Sequence, residues 1–101
     1  MRESDFLIGQ LLESSWLTLE QVASACAVEP GWLMQRIQDG LMPNVEGVAG
    51  VWRLSTTTIL RARRMKQLEL DFDAVPELAA LVADLLEEVD ELRASIHRAQ
   101  F

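Results

Sequence analysis

Apolar residues recur at helical spacing after the first 18 positions of the chain. Thr18 and Gln21 have the spacing of a capping box, in which each side chain bonds the other residue's backbone N–H. We therefore predict a first helix over residues 19–27. Its buried face has members at i, i+3, i+4 and i+7. They are Leu19, Val22, Ala23 and Cys26.

A second helix is predicted to follow after a tight turn at residues 28–29. Pro30 suits its first position, because the missing N–H of proline is not needed there. The helix is expected to extend to Asp39, since Gly40 fits the left-handed position after a helix end. Its inward positions are Leu33 and Ile37, with Trp32 as a third candidate.

Two short apolar runs with glycines between them predict a small β-hairpin, or wing. The runs occupy residues 45–50 and 51–54. Ser55 is then the candidate N-cap of a third helix over residues 56–70. The positions expected on its inward side are Ile59, Ala62, Met65 or Lys66, and Leu68 to Phe72.

The last segment of the chain predicts a long amphipathic helix. Residues 71–73 break the preceding pattern, Asp73 is the candidate cap, and Pro76 is tolerated in the first turn. Apolar residues then repeat at spacings of three and four, which is a heptad seam. We favour an antiparallel dimer seam over docking within the chain. The seam consists of Leu78, Val82, Leu85, Val89, Leu92 and Ile96.

These elements predict a mainly α fold, a winged helix-turn-helix with a small β wing and a C-terminal dimerisation helix. We expect one domain over residues 1–101, because 101 residues suit a single core. Within it, residues 18–72 form the winged helix-turn-helix and residues 73–101 the last helix. Residues 1–17 fit either a short helix or a strand.

The distribution of charge changes this picture more than the net charge of −7 does. Residues 1–35 carry five acids and one base, residues 36–66 two acids and six bases, and residues 67–101 nine acids and two bases. The acidic ends would repel a DNA backbone, whereas a basic protein surface would be attracted. Because no secretory leader, membrane span or disulfide framework is evident, we expect a cytoplasmic protein without membrane contact.

Two sets of charged residues are candidates for partner contacts. The basic set either contacts nucleic-acid phosphates or forms a solvated face, and we favour the second. It consists of Arg53, Arg61, Arg63, Arg64 and Lys66, beside Arg36. The acidic set either receives a basic partner helix or serves helix capping and solvation. It consists of Glu69, Asp71, Asp73, Glu77, Asp84, Glu87 and Glu88, continued by Asp90 and Glu91.

The residues that usually carry catalysis form no cluster along the sequence. Cys26 is interpreted as a small buried hydrophobe, and His97 has no neighbours for metal or triad chemistry. Trp16, Trp32 and Trp52 either close the core, which we favour, or anchor a partner. We therefore predict a protein that is not an enzyme and needs no cofactor and no metal.

The order of these motifs resembles the MerR family and, within it, the chaperone-modulator family CbpM. The resemblance covers about residues 17–96 and depends on an ordered series rather than on one specific motif. The segments that carry it are 26–30 (Cys-Ala-Val-Glu-Pro), 39–43 (Asp-Gly-Leu-Met-Pro), 50–55 (Gly-Val-Trp-Arg-Leu-Ser) and 68–73 (Leu-Glu-Leu-Asp-Phe-Asp).

The resemblance implies a function that composition alone does not reveal. Proteins of the CbpM family bind the J-domain of CbpA, a DnaJ-like co-chaperone, and restrain its work with DnaK. A J-domain offers a basic helix followed by a His-Pro-Asp loop, so an acidic partner that covers them would compete with DnaK. A homodimer with this activity is our expectation.

The competing hypothesis is a MerR-like DNA-binding transcription regulator. The scaffold and the basic third helix favour it. However, the DNA-binding pattern has an arginine followed by aromatic residues early in the second helix, and here that arginine position holds Met34. The chain also contains no tyrosine. This departure weakens the case for DNA binding, and a nucleic-acid partner is not expected.

Overall fold

The computed structural model describes residues 16–43, 45–48 and 51–100. Within these ranges, the structure contains four helices and one small antiparallel hairpin, which confirms the predicted mainly α winged helix-turn-helix with a β wing. The choice between helix and strand for residues 1–17 falls outside the described residues except at Trp16 and Leu17. The elements are α1 (Leu19–Cys26), α2 (Pro30–Gln38), β1 (Val45–Val48), β2 (Val51–Leu54), α3 (Thr56–Phe72) and α4 (Pro76–Gln100).

Helix α1 begins at the predicted capping box. The backbone N–H of Gln21 donates to Oγ1 of Thr18 over 3.1 Å, and the backbone N–H of Thr18 donates to Oε1 of Gln21 over 2.8 Å. Ala27 ends the helix in a left-handed conformation with φ 55°. The predicted inward face is confirmed at its three buried members, and Leu19 is partly buried. The buried members are Val22, Ala23 and Cys26.

The capping box gives a first prediction for stability. Thr18→Ala removes the oxygen that accepts from Gln21, so we expect a loss of about 1 kcal/mol in the free energy of unfolding. Urea denaturation followed by tryptophan fluorescence measures this loss. Thr18→Ser keeps the acceptor and should stay within about 0.5 kcal/mol of the parent chain. Equal stability of Thr18→Ala and the parent would contradict the capping role.

Helix α2 is positioned by proline at one end and glycine at the other. Pro30 is its first residue, and Gly40 follows its end with φ +75°, as predicted. The helix ends at Gln38, one residue earlier than expected, with Asp39 as its C-cap. The inward side chains Leu33 and Ile37 are buried, and the third candidate, Trp32, is partly buried.

The wing is a two-stranded hairpin in which Val45 pairs with Leu54 and Gly47 with Trp52. Leu54 also exchanges both backbone hydrogen bonds with Leu17, over 2.6 and 2.9 Å. Its side chain is fully buried. The wing is therefore joined to the chain segment before α1 as well as closed on itself.

Helix α3 departs from prediction at its end. It extends to Phe72, two residues beyond the predicted limit, and Phe72 is 74% exposed. The assignment of Phe72 to the inward side was therefore wrong, as was that of Leu70, which is 68% exposed. Of the two alternatives Met65 and Lys66, the structure buries Met65. Ala62 is buried as predicted.

The prediction that Asp73 caps the last helix was also wrong. Asp73 has a left-handed backbone with φ 52°, which aspartate tolerates better than most residues. Helix α4 begins three residues later, at Pro76, and the carbonyl oxygen of Val75 accepts from the N–H of Ala79 over 3.0 Å. Asp73 thus lies in the turn after α3 and not at the residue that directly precedes α4.

Helix α4 buries small side chains and exposes large ones. At about 100° per residue, the buried alanines lie on one side of the helix and the heptad seam on the opposite side. The buried residues are Ala79, Ala80 and Ala83. The seam residues Leu78, Leu85, Val89, Leu92 and Ile96 are 39–59% exposed, and Val82 is partly buried.

The chain groups into two compact units, Met1–Arg63 and Arg64–Phe101, and the division falls within α3. The predicted single domain, with segments meeting at 17/18 and 72/73, stays a prediction. Within the described residues, no helix has the length and apolar character needed to cross a lipid bilayer.

Candidate partner-binding surfaces

The acidic residues around the α3–α4 turn are accessible to a partner. Asp71, Asp73 and Glu77 are exposed, and Glu69 is partly buried. Nε2 of Gln67 donates to Oδ2 of Asp71 over 2.6 Å, which orients that carboxylate along α3. The turn therefore presents carboxylates from both helices of the second unit.

Further carboxylates follow this turn along α4. At 3.6 residues per turn, Glu77, Asp84 and Glu88 fall within one narrow stripe, and Glu91 continues it. Asp84 and Glu88 are exposed, and Glu87 is partly buried on the neighbouring side. The stripe lies between the buried alanines and the heptad seam. We call Glu77, Asp84, Glu88 and Glu91 the acidic stripe.

The basic residues of α3 are held by contacts within their own units. Arg61 is 5% exposed, and its Nε donates to the carbonyl oxygen of Leu41 over 2.8 Å. Arg63 is exposed, but its Nη2 donates to the carbonyl oxygen of Ala25 over 2.7 Å, at the end of α1. Arg61 thereby ties α3 to the loop after α2.

In the second unit, Arg64 is paired with an acid of α4. Its Nη2 lies 2.6 Å from Oδ2 of Asp90. Lys66 is partly buried and also has an interaction partner. On the wing, Arg53 is exposed and lies opposite Glu46 in the strand register. Most of the candidate phosphate contacts thus already serve the fold.

Helix α2 carries a stacked pair of partly buried side chains. The guanidinium carbon of Arg36 lies 4.6 Å from the ring centroid of Trp32, one helical turn away. Such a cation–π contact both shields the indole and occupies the arginine. Met34, which stands where the DNA-binding pattern has arginine, is partly buried.

A pocket of about 270 Å³ lies between α1, α2 and the wing. The sequence did not predict it, because its lining comes from separate segments and carries no common motif. Trp52 is one of its walls, so this tryptophan is neither fully buried nor free in solvent. The lining residues are Thr18, Leu19, Glu20, Met34, Val51 and Trp52.

Cys26 behaves as the buried thiol that the sequence indicated. Its Sγ lies 3.4 Å from the carbonyl oxygen of Ile59. Burial raises the pKa of Cys26, and the positive charge of Arg63 lowers it by less. Within the described ranges, no three His, Cys, Asp or Glu residues come close enough together to hold a metal ion.

Comparison with known proteins gives one finding. A family model described as "MerR HTH family regulatory protein" matches residues 7–100. Neither the curated proteins nor the solved structures contain a significant match to this chain.

Proposed function

Since the chain belongs to the MerR helix-turn-helix regulatory family, we propose that it uses this scaffold as a chaperone modulator. In this role it binds the J-domain of a CbpA- or DnaJ-like co-chaperone and inhibits its action with DnaK. It acts by binding a protein rather than by catalysis, and it needs no cofactor.

The main support for this proposal is that basic residues of α3 bond groups of their own chain. A protein that binds DNA through phosphates needs cations directed outward, and each phosphate contact contributes to affinity. Here Arg61 and Arg63 bond carbonyl oxygens of their own chain, and Arg64 pairs with Asp90. Releasing any of them to phosphate would break a contact that supports the fold.

The acidic residues of the second unit, in contrast, are mostly exposed. Residues 64–101 contain nine acids and four bases, and most of the nine carboxylates are exposed. The acidic stripe and the carboxylates at the α3–α4 turn offer a negative surface to a basic helix. Complementary charge of this kind mainly speeds association and selects the partner. The basic helix of a J-domain is a surface of the required sign.

The exposed heptad seam completes the proposal, because it indicates a homodimer. A row of large apolar side chains with exposed fractions near one half is typical of an interface rather than of a free surface. A dimer would present the acidic stripe twice. It would thereby give a bivalent partner two sites.

The DNA-binding alternative has one observation in its favour. The helix-turn-helix elements and the wing strands are those of a MerR-like scaffold, and Arg53 on β2 is exposed. Separate titrations with an isolated J-domain and with duplex DNA, at about 0.15 M salt, distinguish the two functions. Firm DNA binding without J-domain binding would refute the chaperone-modulator proposal.

A matched pair of variants tests whether the acidic stripe makes the contact. We expect Glu77→Gln with Glu88→Gln to weaken J-domain binding about fivefold to tenfold, since two charge contacts of ~0.5–0.7 kcal/mol each are lost. The control, Glu29→Gln with Glu46→Gln, removes the same charge from the first unit and should change affinity less than about twofold. Calorimetry at two salt concentrations measures both. Equal losses in the two variants would point to net charge rather than to this surface.

A further inference from the structure

The pocket between α1, α2 and the wing lies in the first unit, and the acidic stripe lies in the second. We propose that this pocket is a second contact, which takes one large apolar side chain from a protein segment that carries lysine or arginine beside it. This inference rests on the proposed function only in taking the partner to be a basic protein surface.

The size and lining of the pocket select a side chain over a small molecule. Its volume of about 270 Å³ falls below the ~300–1,000 Å³ typical of small-molecule sites. Four of its six lining residues are apolar: Leu19, Met34, Val51 and Trp52. Interface anchors typically occupy small apolar pockets, which lose their water when the anchor enters.

The walls of the pocket are held in place before any partner arrives. A Cβ atom built on Gly47 would lie 3.3 Å from Cζ3 of Trp52, so the indole packs directly against the β1 backbone. On the other side, Thr18 is committed to the capping box with both its N–H and its hydroxyl. A preformed pocket costs little ordering free energy when it is filled.

The charge at the pocket edge determines which charge the partner segment can carry beside its apolar anchor. Glu20 supplies the one charged side chain of the lining, and it is exposed in the first turn of α1. Among the described residues, none forms a hydrogen bond or ion pair with its carboxylate. A lysine or arginine next to the apolar anchor would pair with this carboxylate, whereas an acidic segment or a phosphate backbone would be repelled.

The test uses the full chain labelled with ¹⁵N and short capped peptides as probes. The first peptide has phenylalanine between pairs of lysines, the second has glutamate for lysine, and the third has serine for phenylalanine. The indole N–H resonance of Trp52 reports the pocket, and those of Trp16 and Trp32 report other parts of the first unit.

We expect the lysine–phenylalanine peptide to shift the Trp52 resonance saturably. It should bind about tenfold more tightly than the glutamate peptide, and the serine peptide should give no saturable shift. An unmoved Trp52 resonance would overturn the proposal, as would equal binding of the lysine and glutamate peptides. A Trp52 shift that follows protein concentration alone would assign the pocket to a second copy and would also overturn it.

Variants separate charge from shape. Glu20→Gln should reduce the preference for lysine over glutamate about threefold, while the matched control Glu29→Gln should leave it unchanged. Val51→Lys places a positive charge at the mouth on a side chain that is 61% exposed. It should weaken the lysine–phenylalanine peptide about fivefold. No change with either pocket variant would contradict the assigned contacts.

The same resonance distinguishes this inference from the proposed function. One outcome is that an isolated J-domain binds the chain without a shift of the Trp52 resonance and with the same affinity for Val51→Lys. In that case the proposed function is supported, and the pocket is not a second contact for the J-domain. If no J-domain binds, the peptide titrations still decide whether the pocket takes a basic, apolar segment.

Discussion

Leu54→Ala is expected to lower the free energy of unfolding by about 2–5 kcal/mol. Leu54 is fully buried at the end of β2 and bonds the backbone of Leu17 on one side and of Val45 on the other. Truncating it leaves a cavity where three chain segments meet, and the small core has few side chains to fill it. Small domains have only ~5–15 kcal/mol of stability, so such a loss is a large share of the total.

The measurement is urea unfolding followed by tryptophan fluorescence. All three tryptophans lie within Met1–Arg63, so their signal reports the unit that contains Leu54. The matched control is Val51→Ala on the same strand, where the side chain is 61% exposed and the cost should stay within about 1 kcal/mol. Similar costs for the two substitutions would show that β2 is not part of a common core.

The local signals of the sequence predicted most of the elements because they act over a few residues. The capping box at Thr18, the proline at the start of α2 and the left-handed Gly40 each depend on chemistry within one turn of helix. The hairpin followed in the same way from two short apolar runs. The helix signals are present in the structure at the predicted positions, and the hairpin is present with its first strand ending at Val48, two residues before the end of the predicted run.

The end of α3 was misassigned because two local preferences of aspartate compete. Aspartate favours an N-cap, but it also tolerates the left-handed backbone, and the sequence does not tell which applies to Asp73. Phe72 was placed inward as the last residue of the segment that begins at Leu68, and the structure exposes it at the helix end. The turn geometry that decides both cases is not encoded by spacing alone.

Some candidate sites could likewise be identified from local sequence signals, and others only from the fold. The acidic residues were identified because charge and helical spacing are visible in sequence. The carbonyl partners of Arg61 and Arg63 were not, since they are 20 and 38 residues away along the chain. The pocket was missed for the same reason, because only the fold brings Met34 and Trp52 to one cavity. Nothing in the alanine positions of α4 predicted that small residues would be buried while leucines remain exposed.

Leu92→Glu is expected to weaken self-association of the chain about a hundredfold or more. The seam of α4 faces away from its buried alanines, and among the described residues of the second unit its large apolar side chains remain 39–59% exposed, apart from the partly buried Val82. A second copy would bury it in an antiparallel pair. Because the substitution occurs in both copies, it would place two carboxylates in an apolar interface, and a loss of ~2.7 kcal/mol or more corresponds to that factor.

Sedimentation velocity over a range of concentrations measures this change, since the monomer has a mass of 11.4 kDa and the dimer twice that mass. Ala94→Glu adds the same charge to an exposed position on another side of α4 and should leave the dimer constant within about twofold. Helical circular dichroism should remain similar, because both substitutions introduce a good helix former.

A parent chain that is monomeric at high concentration would refute the dimer seam. Equal weakening by the two variants would show that net charge, not seam packing, controls association. Loss of the dimer in Leu92→Glu alone would establish that the large apolar face of α4 binds a second copy, while its alanine face packs within the chain's own fold.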